Sequence, residues 1–102
     1  MGNSCFIKHG GLRLDLFSRK LYIEDQFIRL RNKEFSLMEY FMRNIGKVLS
    51  RTDILEQVWD RNICSHTNTV DVHVSTLRRK LVRFFPFSPI KTVYCVGYIF
   101  EA

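Results

Sequence analysis

A chain of 102 residues holds one domain with a single modest core and excludes two. Its 46% hydrophobic content, with nine Phe, supplies a core that needs no staples, while three widely spaced cysteines without a Cys-x-x-Cys pair exclude a disulfide framework and a structural zinc site. The formal charge of +6 favours a polyanionic partner, nucleic acid ahead of an acidic membrane surface; with no apolar run long enough to span a bilayer and no signal-peptide pattern, a reducing cytoplasm is the expected location.

Residues 1–5 read as a flexible leader or linker remnant, and residues 6–102 as the domain. Up to Leu30 the pattern has a period of two. Phe6 and Ile7 open a run, Leu12, Leu14 and Leu16 alternate with Arg13 and Asp15, and Leu21 with Ile23 and Phe27 with Ile28 and Leu30 follow. Turn signals at His9-Gly10-Gly11, Phe17-Ser18-Arg19 and Glu24-Asp25-Gln26 divide these into four short antiparallel strands covered on one face. The period then changes. Phe35, Met38, Met42 and Ile45, widened by Leu37 and Phe41, predict an amphipathic helix over residues 33–45, with Asn32 as N-cap, Glu34 favoured by the first-turn dipole and Gly46 past the end. Val48 and Leu49 form a short extended link. Ser50 and Asp53 then make a capping-box-like start to a second helix, on which Ile54, Leu55, Val58 and Trp59 share a face. Trp59 is read as core, with an indole N–H still able to point outward toward a phosphate.

The segment 60–66 is too polar and irregular for an element and should join two helices that cross at an angle; its Ile63 is either a core plug or an exposed contact. Cys64 and His66 there are only two potential ligands, too few for a structural zinc site. From Thr67, expected as N-cap, a third helix runs to about Phe84 and stops before Pro86. Val70, Val74, Leu77 and Leu81 fall on one stripe, and Asn68, Val72, Ser75, Thr76 and Arg79 lie opposite. Thr69, His73 and Lys80 flank that side on one edge and Asp71 and Arg78 on the other, with Asp71 expected to pair with Arg78. Short hydrogen-bonding groups near the start suit base edges, and the cations toward the end suit phosphates. Phe84, Phe85 and Phe87 cannot all be buried in so small a domain, so at least one should be exposed, as an end-cap of the core or a dimer contact. A hairpin closes the chain: Ile90 to Val93, a turn over residues 94–97 in which Gly97 is expected to supply a positive φ, and Tyr98 to Phe100. The expected fold is α+β: a four-stranded antiparallel sheet, three helices and a terminal hairpin, the order of a winged helix-turn-helix.

From about Phe6 to its end the chain resembles the C-terminal effector domain of OmpR/PhoB-type response regulators. The resemblance is carried together by Lys33-Glu34-Phe35, by VLSRTDILEQVW from Val48, by TVDVHVSTLRRKL from Thr69, and by the hairpin from Lys91-Thr92-Val93 to Gly97-Tyr98. It implies a bacterial transcription factor whose third helix reads the major groove and whose wing meets the backbone or the minor groove. Val72 and Thr76 would then face bases, and Thr69, His73, Arg78, Thr92 and Tyr98, with Trp59, would contact phosphates. Asn68 and Ser75 stand where the family often carries basic contact residues, so the electrostatic grip there should be weaker. The loop that includes Asp60, Arg61, Asn62 and Ile63 matches the segment that in the family can touch RNA polymerase. In the wing, Tyr94 replaces the arginine that would enter the minor groove. Cys95 replaces a glycine, and because a side chain resists positive φ a different turn geometry is expected. The resemblance further implies a phosphorylated receiver domain in the full-length protein and two copies on tandem DNA half-sites.

Catalysis is not expected, since His9, His66 and His73 fall on separate elements with no nucleophile, base and orienting group together. No cofactor or metal is implied. The rival reading is a winged helix used for protein contacts, with residues 84–87 and 60–66 as its surface.

Overall fold

The computed structural model describes residues 5–59 and 67–101. The period-two segments fold as the expected meander, in which β1 (Phe6–His9), β2 (Leu12–Asp15), β3 (Lys20–Ile23) and β4 (Gln26–Ile28) pair antiparallel in sequence order. The register sets Leu12 opposite Ile23, Leu14 opposite Leu21, and Leu21 opposite Ile28, so alternate positions build one buried face. On the other face the Arg13 guanidinium lies 4.6 Å from the centroid of the Tyr22 ring opposite it. Asp15 Oδ1 closes the β2–β3 turn by accepting from the backbone N–H groups of Phe17 and Ser18 at 3.0 and 3.1 Å. Those donors, Ser18 foremost, hold the carboxyl below its ordinary range.

Helix α1 (Asn32–Arg43) buries Phe35, Leu37, Met38, Phe41 and Met42, as its periodicity requires. Its N-cap is Arg31 rather than the expected Asn32. The Glu34 carboxylate folds back to accept the Arg31 N–H at 2.9 Å, which fixes the start one residue earlier and leaves the Asn32 side chain to accept from Arg19 at 2.7 Å. Glu34 is the first-turn acid, as expected, and it is buried as well. It is 1% exposed and receives the Lys80 ammonium, which also donates to the Arg29 carbonyl at 3.1 Å. Burial pushes this carboxyl up, but the Arg31 N–H and Lys80 outweigh it and hold it below its usual value. The helix ends at Arg43, short of Ile45, because Asn44 caps it by donating from Nδ2 to the Tyr40 carbonyl at 2.8 Å. Gly46, at φ +80°, turns the chain away.

The link after it is a strand. β5 (Val48–Ser50) pairs with the last strand of the chain in a second, three-stranded sheet of order β5-β7-β6, where β6 is Ile90–Val93 and β7 is Gly97–Phe100. Helix α2 (Arg51–Val58) starts as expected, with the Ser50 side chain accepting from the Asp53 N–H at 3.0 Å. Its last carbonyl region is closed by Lys33 Nζ, 3.1 Å from the Val58 oxygen. Trp59 lies just past the helix, as its C-cap. Helix α3 (Thr67–Leu81) includes Thr67 as its first residue rather than as the cap before it. It ends at Leu81, and a 3-10 turn, Val82–Phe84, carries the chain on toward Pro86. Val70, Val74, Leu77 and Leu81 are all fully buried, each contributing about 1.5–3 kcal/mol of burial. They join the sheet and α1 residues in one core. Phe84 and Phe85 pack against that core while Phe87 is 80% exposed, as the crowding of three rings predicts. Residues 1–4 of the expected leader and the loop 60–66, with its expected polymerase contacts Asp60 to Ile63, lie outside the described residues. Among those described, no helix is long and apolar enough to cross a membrane.

Candidate nucleic-acid interface

Because four apolar residues fix one side of α3 in the core, its opposite side must face outward. Asn68, Val72, Ser75 and Arg79 are exposed there and Thr76 is half-buried; Val72 shows 61% of its surface. The Thr76 hydroxyl donates to the Val72 carbonyl at 3.1 Å, which leaves its oxygen lone pairs able to accept. His73 places Nδ1 2.8 Å from the Thr69 carbonyl. A carbonyl only accepts, so Nδ1 carries the proton and Nε2 is left for an outside partner. Asn68, Thr69, Val72 and His73 together line a shallow groove at the start of the helix. Trp59 is 8% exposed and meets the His73 ring edge-on at 4.9 Å, so it acts first as a support for that ring.

The hairpin is held to the helix by charged groups. Tyr98, 5% exposed, donates its hydroxyl to Asp71 Oδ1, and Arg51 Nε donates to the same oxygen at 2.9 Å. The guanidinium groups of Arg51 and Arg78 stand 5.3 and 5.1 Å from the Tyr98 ring centroid. Arg78 then donates from Nε to the Ile90 carbonyl at 3.0 Å and from Nη2 to Thr92 Oγ1 at 2.6 Å, tying α3 to β6. The expected Asp71–Arg78 pair is therefore replaced. Seven residues separate the two by about 10.5 Å of helix rise, and each finds a nearer partner on another element. Partial burial pushes the Asp71 carboxyl up, but the Tyr98 hydroxyl and Arg51 overcome this and hold it below the ordinary carboxylate range. Burial and the Asp71 charge raise the Tyr98 phenol, and the bond to Asp71 raises Arg51.

At the wing turn the roles of two residues are exchanged. Gly97 is not at positive φ; it is the first residue of β7, paired with both Val93 and Ser50. A side chain there is excluded by proximity, since a Cβ would stand 2.0 Å from the Leu49 carbonyl oxygen. The left-handed residue is Cys95, at φ +63°, so the turn keeps the conformation a glycine would favour despite the side chain. Tyr94 projects beside it, 87% exposed.

The structure thus gathers Asn68, Thr69, Val72 and His73 at one end of the helix face, and Arg78, Thr92 and Tyr98 at the join with the wing. Thr76 and Arg79 border a separate cleft toward β4. Arg51 is the residue that sequence reading missed. It follows an N-cap serine and has no spacing relation to Asp71 or Tyr98, so only the fold reveals its role.

An exposed polar helix face beside a braced hairpin defines the winged helix-turn-helix class. The chain belongs to the family described as transcriptional regulatory protein, C terminal, which matches residues 25–100, and within it to the OmpR/PhoB-type effector domains. It is 47% identical over 90 residues to the transcriptional regulatory protein CusR of Escherichia coli K12, covering 88% of this chain and 40% of that protein. To the probable transcriptional regulator ycf27 of Galdieria sulphuraria it is 42% identical over 103 residues, covering 97% and 40%. The chain therefore spans about two fifths of the length of these relatives. Among solved structures, the DNA-binding domain of Klebsiella pneumoniae RstA in complex with the RstA box superposes with a TM-score of 0.82 at 26% identity, covering 94% of this chain and 96% of that one. The AdeR response-regulator domain in complex with an intercistronic region gives a TM-score of 0.85 at 24% identity, covering 92% and 97%, which supports the fold.

Proposed function

We propose that this domain binds duplex DNA sequence-specifically as the output domain of a two-component response regulator that controls transcription in the cytoplasm. The observation that carries this reading is the outer face of α3: Asn68, Val72, Ser75, Thr76 and Arg79 present no acid, and Asp71, the helix's acidic residue, is turned to Arg51 and Tyr98. Asn68, Val72, Ser75 and Thr76 meet base edges in the major groove, the Val72 side chain and the Thr76 methyl suiting thymine methyl groups. Thr69, His73 through Nε2, Arg78, Arg79 and Thr92 take phosphates. Trp59 and Tyr98 act from beneath, Trp59 by orienting His73 and Tyr98 by fixing Arg78 and the wing. Tyr94 lies over the flanking backbone or minor groove. In the full-length protein a receiver domain precedes this one, two copies occupy tandem half-sites, and the loop containing Asp60, Arg61, Asn62 and Ile63 faces RNA polymerase. The family is one of transcription regulators, and no catalytic role is proposed.

Selection of this chain on a random duplex library, followed by titration of the enriched sequence against scrambled DNA at two salt concentrations, tests the reading. An enriched repeated motif whose binding weakens steeply with salt supports it. No binding even at low salt would refute it and favour a protein-contact role.

A further inference from the structure

A cleft of about 550 Å³ separates the end of β4 from the second half of α3. Phe27, Ile28 and Arg29 line one wall, and Thr76, Arg79 and Arg83 stand on the other. The lining includes no acid, and among the described residues Arg29, Arg79 and Arg83 are exposed and form no ion pair. Lys80, also at this cleft, differs from them because it is committed to Glu34 and the Arg29 carbonyl. Three arginines that line one cleft without a counter-charge repel one another, and a polyanion between them relieves that repulsion.

Position decides which polyanion. Thr76 belongs to the helix face that would read bases and Arg79 to the phosphate contacts beside it, so the cleft borders that face. A 15-residue helix is about 22 Å long, whereas the major groove is about 12 Å wide. A helix whose first turns lie in the groove must therefore carry its last turns over one strand's backbone. Arg79 in the last turn of α3 and Arg83 in the 3-10 turn after it border one side of the cleft there, and Arg29, just past β4, borders the other. The half-exposed ring of Phe27 beside them suits the deoxyribose edges that alternate with phosphates.

We infer that this cleft grips the sugar-phosphate backbone flanking the read groove, with Arg29 and Arg83 as phosphate contacts on either side of Arg79. The inference rests on the DNA-binding reading and extends the footprint beyond α3 to the N-terminal sheet. The test is the double variant Arg29→Ala/Arg83→Ala, with Arg29→Lys/Arg83→Lys as a charge-preserving control. Both replace exposed side chains, and unchanged melting temperatures establish that they fold.

Affinity of the alanine variant should fall about tenfold or more at moderate salt, equally for the selected and scrambled sequences. The slope of log affinity against log salt should decrease by about 0.9 for each lost phosphate contact. Hydroxyl-radical footprints should lose protection on one flank, and the lysine variant should keep most of the affinity. If the parent chain binds its selected sequence and the alanine variant matches it in affinity, slope and footprint, the inference is overturned while the DNA-binding reading stands, and an acidic protein segment becomes the better occupant. If the parent chain binds no DNA, both fall.

Discussion

Cys95 at φ +63° holds a conformation that costs a residue with a β-carbon about 1–2 kcal/mol. Cys95→Gly removes that cost and returns part of it through the freer unfolded chain, so a net stabilisation of about 0.5–1 kcal/mol is expected as a higher urea midpoint. Gly97→Ala should act in the opposite direction, because its Cβ would collide with the Leu49 carbonyl and Ser50 Cα across the β5–β7 pair. A loss of at least about 2 kcal/mol is expected in the same assay. The chain revealed that this hairpin needs special residues but not why. Residue type announces a turn, whereas the carbonyl that approaches Gly97 belongs to a strand almost fifty positions away. Asp71 follows a pH rule. Its folded-state carboxyl is held below its unfolded value, so its contribution is complete at neutral pH and is lost as pH falls through the folded value. Asp71→Asn should therefore lower stability at pH 7 and flatten its decline below about pH 5, measured by urea unfolding across that range.

The elements were the most legible part of the sequence, since they follow from hydrophobic period. The meander, α1, α2 and α3 lie where alternation or the i, i+3, i+4 pattern puts them. The partnerships between elements were not legible. β5 reads as a link because three residues carry too little alternation to declare a strand; it becomes one by lying against β7. Glu34 reads only as a first-turn acid because nothing local reveals Lys80, forty-six positions on. Its carboxylate joins the N-terminus of α1 to α3 and, through Lys80, to the end of β4. Glu34→Ala would leave Lys80 without its counter-charge and the Arg31 N–H without an acceptor. Thermal or denaturant unfolding should register a loss of about 2–3 kcal/mol.

Across the whole molecule, the core fixes α3 on one side, and the Arg51–Asp71–Tyr98 cluster with Arg78 braces the second sheet against it. The outer helix face and the wing are thereby set relative to each other before any ligand arrives, which lowers the ordering cost of binding. The helix face was legible in the sequence because amphipathicity defines an outside as well as an inside. The brace was not, since it depends on tertiary contacts among residues on three elements. Under the proposed reading the same division separates two tasks of the surface, recognising bases and holding the backbone. It assigns Thr76 to the first. It assigns Arg78, anchored at Ile90 and Thr92, to the second.

The most direct measurement titrates the parent chain, Thr76→Ala and Arg78→Ala against a panel of single-base variants of the selected sequence over a range of salt. Thr76→Ala should reorder the panel by about 1–3 kcal/mol at one position while preserving the salt slope. Arg78→Ala should weaken every member by a similar factor and reduce the slope by about one. Uniform weakening of the whole panel by Thr76→Ala, with its order unchanged, would contradict the placement of this helix face at the bases.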